Sequence, residues 1–313
     1  MSFSLCNASL RPLVRCDLPL EPESHAGTLL RQTRTRLQRL LQAPAPVLTS
    51  FAPSAAPRAE ADGACRFRCR MLLDRVLHRA VGSRVAPVRL SVDRAGGRVV
   101  RAFSQSQAPF VQNILRHKQT SAGVCEALSA HWIETHSRGA CLWQELFCGD
   151  GHLQHQPDSL VSIRLLQSVG MKRDVDQDEA TALWLALRGV VPRPVRQRRS
   201  HATVVYGICN QVEGVTGPTG TRELLDAMLE RRGEAALYKK VQLTGRLCAH
   251  AIALRVDQGV SFFDPNFGEF RFDDHASFRS WFAGEFWPRS CYGLELGLGQ
   301  SFTVHEFERR AQA

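Results

Sequence analysis

Three residues suited to nucleophilic catalysis occur in order along the 313-residue chain. Cys125 follows a Gly-Val pair and precedes an apolar run, a pattern that predicts a reactive thiol at the start of a buried helix. His250 interrupts a strand-like run of small and apolar residues, and Asp264 ends a second such run. A thiol, an imidazole and a carboxylate in this order can serve as nucleophile, general base and orienting group.

The residues around Cys125 favour a thiolate. A helix N-terminus stabilises an anion through the helix dipole and through backbone N–H groups that lack intrahelical partners. Leu128, Trp132 and Ile133 follow Cys125 at helical spacing, which predicts one apolar helix face in the core with the thiol at its tip. The alternative for Cys125 is an inert structural cysteine, because this residue type is among the most often buried.

A short turn connects the two strand-like runs. If residues 257–259 join antiparallel strands, His250 and Asp264 come close together and the carboxylate can orient the imidazole. Each residue also has a structural alternative. His250 can be a hydrogen-bonded core histidine, and Asp264 can be a turn residue ahead of Pro265-Asn266.

An oxyanion hole requires a hydrogen-bond donor near the thiol. Gln119 precedes Cys125 at a spacing similar to that of the oxyanion glutamine in papain-like proteases, and it is our candidate. The side chain of Thr120 and the backbone N–H of Cys125 are further candidates. The alternative for Gln119 is an exposed polar residue that follows a helix.

The periodicity of the sequence predicts the elements that position these residues. Residues 1 to about 60 are rich in Ser, Pro, Ala and Arg and are expected to be weakly structured. A helix is predicted over 69–81 with Gly82 as its stop, followed by a hairpin over 88–100. Beyond residue 103, helices are predicted over 122–136, 158–169, 176–187, 221–231 and 277–286, and strands over 235–243, 247–256, 260–263, 269–272 and 292–307. A helical first half and a β second half, without regular alternation, indicate an α+β fold.

Composition argues against several functional classes. The formal charge is +10, but the basic residues, mostly Arg, are spread along the chain, so we expect no nucleic-acid partner. The ten cysteines include no Cys-x-x-Cys pair, and neither a metal nor another cofactor is predicted. No apolar run is long enough to cross a bilayer, and the N-terminus lacks the apolar core of a Sec signal peptide.

The sequence resembles the YopT-type (AvrPphB/NopT-like) family of cysteine proteases. Three blocks in the family order carry the resemblance: Gly123-Val-Cys125 with Ala127-Leu-Ser-Ala and Trp132, then Cys248-Ala-His250-Ala-Ile, then Phe262-Phe-Asp264-Pro-Asn-Phe-Gly268. The similar region covers roughly residues 119–304. It implies a papain-like fold, in which the Cys helix packs on an antiparallel sheet, and a catalytic triad of Cys125, His250 and Asp264.

This resemblance also implies where the protein acts. Members of the family are delivered into eukaryotic host cells by type III secretion and cleave host proteins. We therefore expect residues 1–102 to be a secretion leader and variable, partly disordered region that can bind a secretion chaperone. Residues 103–313 are expected to form the papain-like protease domain, active in the host cytosol or at the inner face of the plasma membrane.

Self-processing is a further property that the resemblance implies. Several members of the family cleave themselves and expose an N-terminal Gly-Cys pair for acylation. Gly63 and Cys65 are the corresponding candidates here, although Ala64 separates them and no Ser or Thr follows where myristoylation requires one. Membrane association through this segment is therefore also an expectation.

Two other functions are compatible with the same residues. A transglutaminase-like enzyme or a glutamine deamidase also uses the order Cys, His, Asp, and it would modify its target without cleaving the backbone. A non-enzymatic protein could instead bind a membrane or a nucleic acid through basic segments such as Arg193–Arg199. Arg-rich runs of this kind are more often solvated loops.

Overall fold

The computed structural model describes residues 57–117, 120–147, 156–169, 176–193, 211–214, 220–231, 236–244, 249–290, 292 and 301–310. Its helices are α1 (Pro57–Arg94), α2 (Phe110–Ile114), α3 (Cys125–Ser137), α4 (Leu142–Leu146), α5 (Pro157–Val169), α6 (Gln177–Ala186), α7 (Gly220–Leu229), α8 (His275–Trp281) and α9 (Trp287–Ser290), with a π-helical turn at Phe282–Phe286. Its strands are β1 (Gly97–Arg101), β2 (Val190–Pro192), β3 (Gln211–Gly214), β4 (Leu237–Thr244), β5 (Ala249–Val256), β6 (Val260–Asp264), β7 (Gly268–Phe272) and β8 (Ser301–Arg309).

The described strands form one antiparallel sheet. Its order is β1-β7-β6-β5-β4-β8-β2, and β3 pairs with β8 as well. Among the described residues, helices dominate the first half of the chain and strands the second half, so the predicted α+β fold is confirmed. Because β5 and β6 lie at the centre of the sheet, the residues at their ends are held by paired backbone on both sides.

The sheet separates two buried apolar clusters. Successive residues of a strand point to opposite faces, and on β6 Phe262 belongs to the first cluster while Phe263 belongs to the second. Helices α1, α7 and α8 supply apolar residues to the first cluster. Helices α2 to α6 supply the second, which therefore contains the apolar face of the helix that begins at Cys125.

Helix α1 is longer than the sequence pattern predicts, and the predicted stop at Gly82 is wrong. The helix continues through Gly82 and Pro87 to Arg94. Three valines recur at helical spacing across this stretch, and each is at most 1% exposed: Val85, Val88 and Val92. Their burial, at about 1.5 to 3 kcal/mol each, outweighs the roughly 3 kcal/mol that a proline costs inside a helix.

The hairpin predicted over 88–100 is also wrong, because residues up to Arg94 are helical. Only Gly97–Arg101 forms a strand, and it pairs with β7 rather than with a neighbouring segment; Val99 lies opposite Phe270. The folded unit therefore extends upstream of residue 103. Residues 1–56 lie outside the described part of the chain, so the boundary of a secretion leader stays a prediction.

The helices predicted beyond residue 103 begin within three residues of their predicted starts, whereas α2 and α4 were not predicted. At the start of α6 the Asp176 carboxylate accepts hydrogen bonds from the backbone N–H groups of Asp178 and Glu179, which caps the helix. The helix predicted over 277–286 begins two residues earlier and continues as the π-helical turn after Trp281. Among the described residues, no helix has both the length and the apolar character needed to span a bilayer.

Candidate active site

Cys125 is the first residue of α3, and its thiol is half-buried. The chain enters this helix through Gly123, whose φ of +127° is strained for any residue with a side chain. The next residue, Val124, donates its backbone N–H to Oε1 of Gln105 at 2.9 Å. The turn before the helix is thus fixed by the backbone conformation of Gly123 and by the side-chain amide of Gln105, which is distant in sequence.

Behind the thiol, α3 is packed against the two central strands. Ser129 donates its hydroxyl to the carbonyl oxygen of Ala251 at 3.1 Å, and the Trp132 ring stacks on Phe263 with 5.8 Å between centroids. Ala251 follows His250 on β5, and Phe263 precedes Asp264 on β6. Helix α3 therefore contacts the residues next to His250 and Asp264, which fixes the position of the thiol relative to both.

The pairing of β5 with β6 places the imidazole and the carboxylate on one face. Ala253 lies opposite Phe263, so the register continued by one pair places Ile252 opposite Asp264. His250 is then a diagonal neighbour of Asp264 on the same face, within reach of a side-chain contact. Nε2 of His250 lies 2.9 Å from Oδ1 of Asp264, and both residues are buried.

Asp264 accepts two further hydrogen bonds, so its carboxylate is held from several directions. The backbone N–H of Asn266 donates to Oδ1 at 2.7 Å, and the hydroxyl of Tyr292 donates to Oδ2 at 3.0 Å. The Tyr292 and His250 rings are 5.2 Å apart between centroids. Burial and the charge of Asp264 raise the pKa of Tyr292 well above its usual value, so the phenol remains a proton donor.

The environment of His250 favours the imidazolium. Burial lowers the pKa of His250, but the charges of Asp264 and Cys125 and its hydrogen bonds to both outweigh burial and raise the pKa to about 10. Because Nε2 is occupied by Asp264, Nδ1 is the ring nitrogen that remains for Cys125. An imidazolium on this ring can stabilise negative charge on a neighbouring sulfur atom.

A buried ion cluster anchors the first turn of α3 to the sheet. Nζ of Lys240, on β4, lies 2.5 Å from carboxylate oxygens of both Glu126 and Asp178, and the lysine side chain is 0% exposed. Thr181 donates its hydroxyl to Glu126 at 2.6 Å. The two carboxylates raise the pKa of Lys240 and outweigh the opposing effect of burial, so the cluster stays charged. Since Glu126 follows Cys125, the cluster fixes the helix start.

Of the predicted oxyanion donors, the structure describes Thr120 and the backbone N–H of Cys125. Gln119 lies outside the described residues, so its role stays a prediction. Thr120 is buried, and its hydroxyl donates to the carbonyl oxygen of Ile114 at 2.7 Å, which leaves that proton already engaged. The backbone N–H of Cys125 lies in the first turn of α3, where amides have no intrahelical acceptor.

For two other predicted features the structure describes only part of the residues. Gly63 and Cys65 lie within the backbone of α1, and residues 194–199 of the Arg-rich segment are not described. Among the described residues, no group of three or more His, Cys, Asp and Glu side chains is arranged to hold a metal ion.

Sequence reasoning missed three residues that shape the site: Gln105, Asn266 and Tyr292. Gln105 donates Nε2–H to Oδ1 of Asn266 at 3.0 Å, while its backbone N–H donates to Pro265 at 2.7 Å. Asn266 in turn donates Nδ2–H to the Tyr292 hydroxyl at 2.9 Å. The Asp-Pro-Asn turn was a local signal for Asn266, whereas Gln105 and Tyr292 reach the site from distant segments.

Comparison with known proteins gives a family match over most of the folded unit. Residues 89–310 match the Peptidase_C58 family, described as Yersinia/Haemophilus virulence surface antigen. The chain is 41% identical over 246 residues to the cysteine protease yopT1 of Yersinia enterocolitica serotype O:8, covering 78% of this chain and 74% of that protein. It is equally similar to the cysteine protease YopT of Yersinia pseudotuberculosis, at 41% identity with the same coverage.

A more distant relative and two solved structures were also found. The chain is 32% identical over 236 residues to the protein adenylyltransferase and cysteine protease IbpA of Histophilus somni, covering 73% of this chain and 6% of that protein. The crystal structure of the Pseudomonas avirulence protein AvrPphB matches 59% of this chain and 91% of its own, at 15% identity and a TM-score of 0.39. The YopT domain of the Pasteurella multocida PfhB2 toxin matches 66% and 92%, at 29% identity and a TM-score of 0.30.

Proposed function

Since this chain belongs to the Peptidase_C58 family and is a cysteine-type peptidase, we propose that Cys125, His250 and Asp264 are its catalytic triad. The observation that carries this proposal is the hydrogen bond of 2.9 Å between Nε2 of His250 and Asp264, which leaves the other ring nitrogen for the thiol. Nucleophile, base and orienting carboxylate are thereby in the order that an activated cysteine requires.

In the proposed acylation step the Cys125 thiolate attacks the carbonyl carbon of the scissile peptide bond. A C–S bond forms, and the carbonyl electrons move onto the oxygen. When the tetrahedral intermediate collapses, the C–N bond breaks and His250 gives its Nδ1 proton to the departing amine. Asp264 holds the ring in position and balances the imidazolium charge before the transfer.

In the proposed deacylation step water restores the enzyme. Neutral His250 takes a proton from water, and the resulting hydroxide equivalent attacks the thioester carbonyl. The C–S bond breaks, the acid product leaves, and the thiolate and imidazolium re-form. The second oxyanion intermediate needs the same donor as the first, for which we propose the backbone N–H of Cys125, with Gln119 as the side-chain candidate.

We further propose that the substrate is a host protein and that the enzyme reaches it by type III secretion. The similarity to Yersinia cysteine proteases supports this proposal. Binding of a secretion chaperone to the region before the folded unit belongs to the same proposal. Membrane association and self-processing near Gly63 and Cys65 stay predictions; that segment is helical, whereas proteolysis favours exposed loop tips.

The test of the triad is covalent labelling of the full chain with E-64, an epoxide inhibitor of papain-class enzymes, followed by mass spectrometry. We expect one adduct at Cys125 in the wild type, none in Cys125→Ala, and strongly slowed labelling in His250→Ala and Asp264→Ala. The matched control is Cys141→Ala, which removes a second half-buried free thiol and should leave the labelling rate unchanged.

Two outcomes would contradict the proposal. Labelling spread over several thiols, or labelling at Cys125 that does not depend on His250, would mean that the thiol is not activated by the imidazole. Self-processing is tested separately by sequencing the N-termini of the purified wild type and Cys125→Ala. Identical N-termini in the two proteins would exclude self-cleavage.

A further inference from the structure

Two buried polar residues of α1 hold the loop that leads into the catalytic helix. Asp74 and His78 are one helical turn apart and lie on the same face of α1. The hydroxyl of Ser121 donates to Oδ2 of Asp74 at 2.8 Å, and Nε2 of His78 lies 3.0 Å from the carbonyl oxygen of the same serine. The hydroxyl and the carbonyl oxygen of Ser121 therefore both contact α1.

Ser121 is well placed to orient the thiol, because it precedes Cys125 by one short turn. Within that turn the described backbone bond is between the Gly123 N–H and the Thr120 carbonyl, at 2.9 Å. Such irregular backbone depends on outside contacts to select one conformation. A change in the position of Ser121 therefore passes directly through Gly123 to Cys125.

The same histidine also reaches the other half of the site. Oγ of Ser106 lies 2.9 Å from Nδ1 of His78 and 3.1 Å from Oδ1 of Asn266. The backbone N–H of Asn266 in turn donates to the Asp264 carboxylate at 2.7 Å. His78 is therefore connected to the nucleophile side through Ser121 and to the Asp264 side through Ser106.

The chemistry of these contacts fixes which atoms donate. A carbonyl oxygen only accepts, so Nε2 of His78 carries the proton that goes to Ser121. Burial lowers the pKa of His78, against the smaller opposing effects of this hydrogen bond and of Asp74, which favours the neutral ring. The Ser106 hydroxyl has one proton, which Nδ1 of the neutral ring and Oδ1 of Asn266 share as acceptors. The side chains that form these contacts are all buried, so losing one partner leaves a buried polar atom unsatisfied. They are Asp74, His78, Ser106 and Ser121.

We propose that Asp74 and His78 are positioning residues of the peptidase, a proposal that rests on the triad proposed above. They fix the position of the loop before Cys125 relative to the turn after Asp264, so that the thiol faces the imidazole. Both residues lie before residue 89, where the family match begins, and within the region expected from sequence to be a variable leader. This assignment makes part of α1 a component of the active site.

The experiment separates a positioning role from a general contribution to folding. In the full chain, the variants are His78→Leu, which removes both ring contacts, and His78→Gln, whose amide can still donate to the Ser121 carbonyl. The matched control is Ser91→Ala on the same helix. The Ser91 hydroxyl accepts the Trp281 indole N–H at 2.9 Å and is equally buried, but it touches neither half of the site.

The readouts are the second-order rate of E-64 labelling at Cys125, the dependence of iodoacetamide alkylation on pH, and the melting temperature. We expect His78→Leu to slow labelling by about 10- to 100-fold, the size of effect that a misplaced reacting group produces. His78→Gln should recover most of that loss. Ser91→Ala should lower the melting temperature by a similar amount and leave both reactivity readouts close to wild type.

Each outcome decides a specific point. If His78→Leu labels like the wild type, or if Ser91→Ala slows labelling as much as His78→Leu does, the positioning role is overturned. If His78→Gln recovers no reactivity, the contact with Ser121 is not the operative one and the proposal fails as stated. Failure of the triad itself would look different: the wild type would then show no labelling at Cys125 that depends on His250.

Discussion

The two halves of the candidate site are supported in different ways. His250 and Asp264 are 14 residues apart on adjoining strands, and the Asp264 carboxylate accepts the backbone N–H of Asn266, two residues further on, besides the hydroxyl of the more distant Tyr292. The loop before Cys125 is instead held by distant residues. Asp74 contacts Ser121 across 47 positions of sequence, and Gln105 contacts Val124 across 19.

The pairing of the imidazole with the carboxylate therefore depends on different contacts from those that position the thiol beside them. A hairpin brings an imidazole and a carboxylate together through local backbone pairing, which a sequence pattern can indicate. Aligning the thiol with that pair requires contacts between segments that are far apart in sequence. Such contacts form only when the whole unit folds. The position of the Cys125 thiol, which we call the Cys side of the site, should therefore change more readily when residues outside the motifs are substituted.

The largest effect is expected from removing α1 and β1. A chain that begins at Phe103 loses three buried valines worth about 1.5 to 3 kcal/mol each, a sum that approaches the total stability of about 5 to 15 kcal/mol of a typical domain. It also loses Arg89, which donates to the Phe267 and Phe103 carbonyls. We expect no cooperative transition in thermal unfolding followed by circular dichroism.

The matched chain for this test begins at Pro57 and keeps every described element. It should unfold cooperatively and label at Cys125 with E-64. Cooperative unfolding of the chain that begins at Phe103 would contradict the expectation. It would also show that the folded unit forms without the upstream residues.

Asp264→Asn is expected to have the next largest effect. The substitution keeps the shape of the side chain but removes the charge that stabilises the His250 imidazolium. We expect the rate of E-64 labelling to fall by about 10³-fold, with little change in far-UV circular dichroism. The control is Asp257→Asn in the turn of the same hairpin, where the carboxylate accepts the Gly259 N–H at 2.9 Å. Equal effects of the two substitutions would show that the hairpin, not the triad contact, determines reactivity.

Lys240→Met tests the buried anchor of the Cys helix. The substitution leaves the carboxylates of Glu126 and Asp178 without their cation, and breaking a buried ion pair costs about 3 to 5 kcal/mol. The measurement is the midpoint of urea unfolding. The control is Arg138→Met at the other end of α3, where the guanidinium is 39% exposed and pairs with Glu134. Exposed pairs contribute about 0 to 1 kcal/mol, so similar losses in both variants would contradict a special role for Lys240.

Tyr292→Phe should have a smaller effect on reactivity, because it removes one donor to a carboxylate that keeps two others. A lost hydrogen bond to a charged group corresponds to about 1.5 kcal/mol, so we expect roughly a tenfold slower labelling rate. Tyr238→Phe is the control, since its hydroxyl contacts His136 at 3.1 Å rather than the triad. If Tyr292→Phe labels at the wild-type rate, the phenol only packs against His250.

The features of the molecule that the sequence predicts are mostly those that depend on local patterns. The α+β fold, the helix that starts at Cys125 and the strands that bring His250 to Asp264 were predictable, because each depends on a local period or turn. The course of α1 was not, because Gly82 and Pro87 are local stop signals that tertiary burial overrides. The contacts of Gln105 and Tyr292 were not predictable either, since no local pattern shows which distant polar residues meet in a core.

The smallest expected difference is between two variants in how their stability depends on pH, and it measures how much each half of the site stabilises the imidazolium. The pKa of His250 is raised from 6.5 to about 10, so the folded protein holds a proton that the unfolded chain releases between these values. Stability from this charge is therefore complete below pH 6.5 and is lost as the pH rises toward 10. Because the charge of Asp264 contributes more to this shift than that of Cys125, Asp264→Asn should flatten the decline in melting temperature more than Cys125→Ala. The melting temperatures are measured by calorimetry from pH 6 to pH 10. If the decline is reduced equally in the two variants, Cys125 stabilises the imidazolium as strongly as the Asp264 carboxylate does.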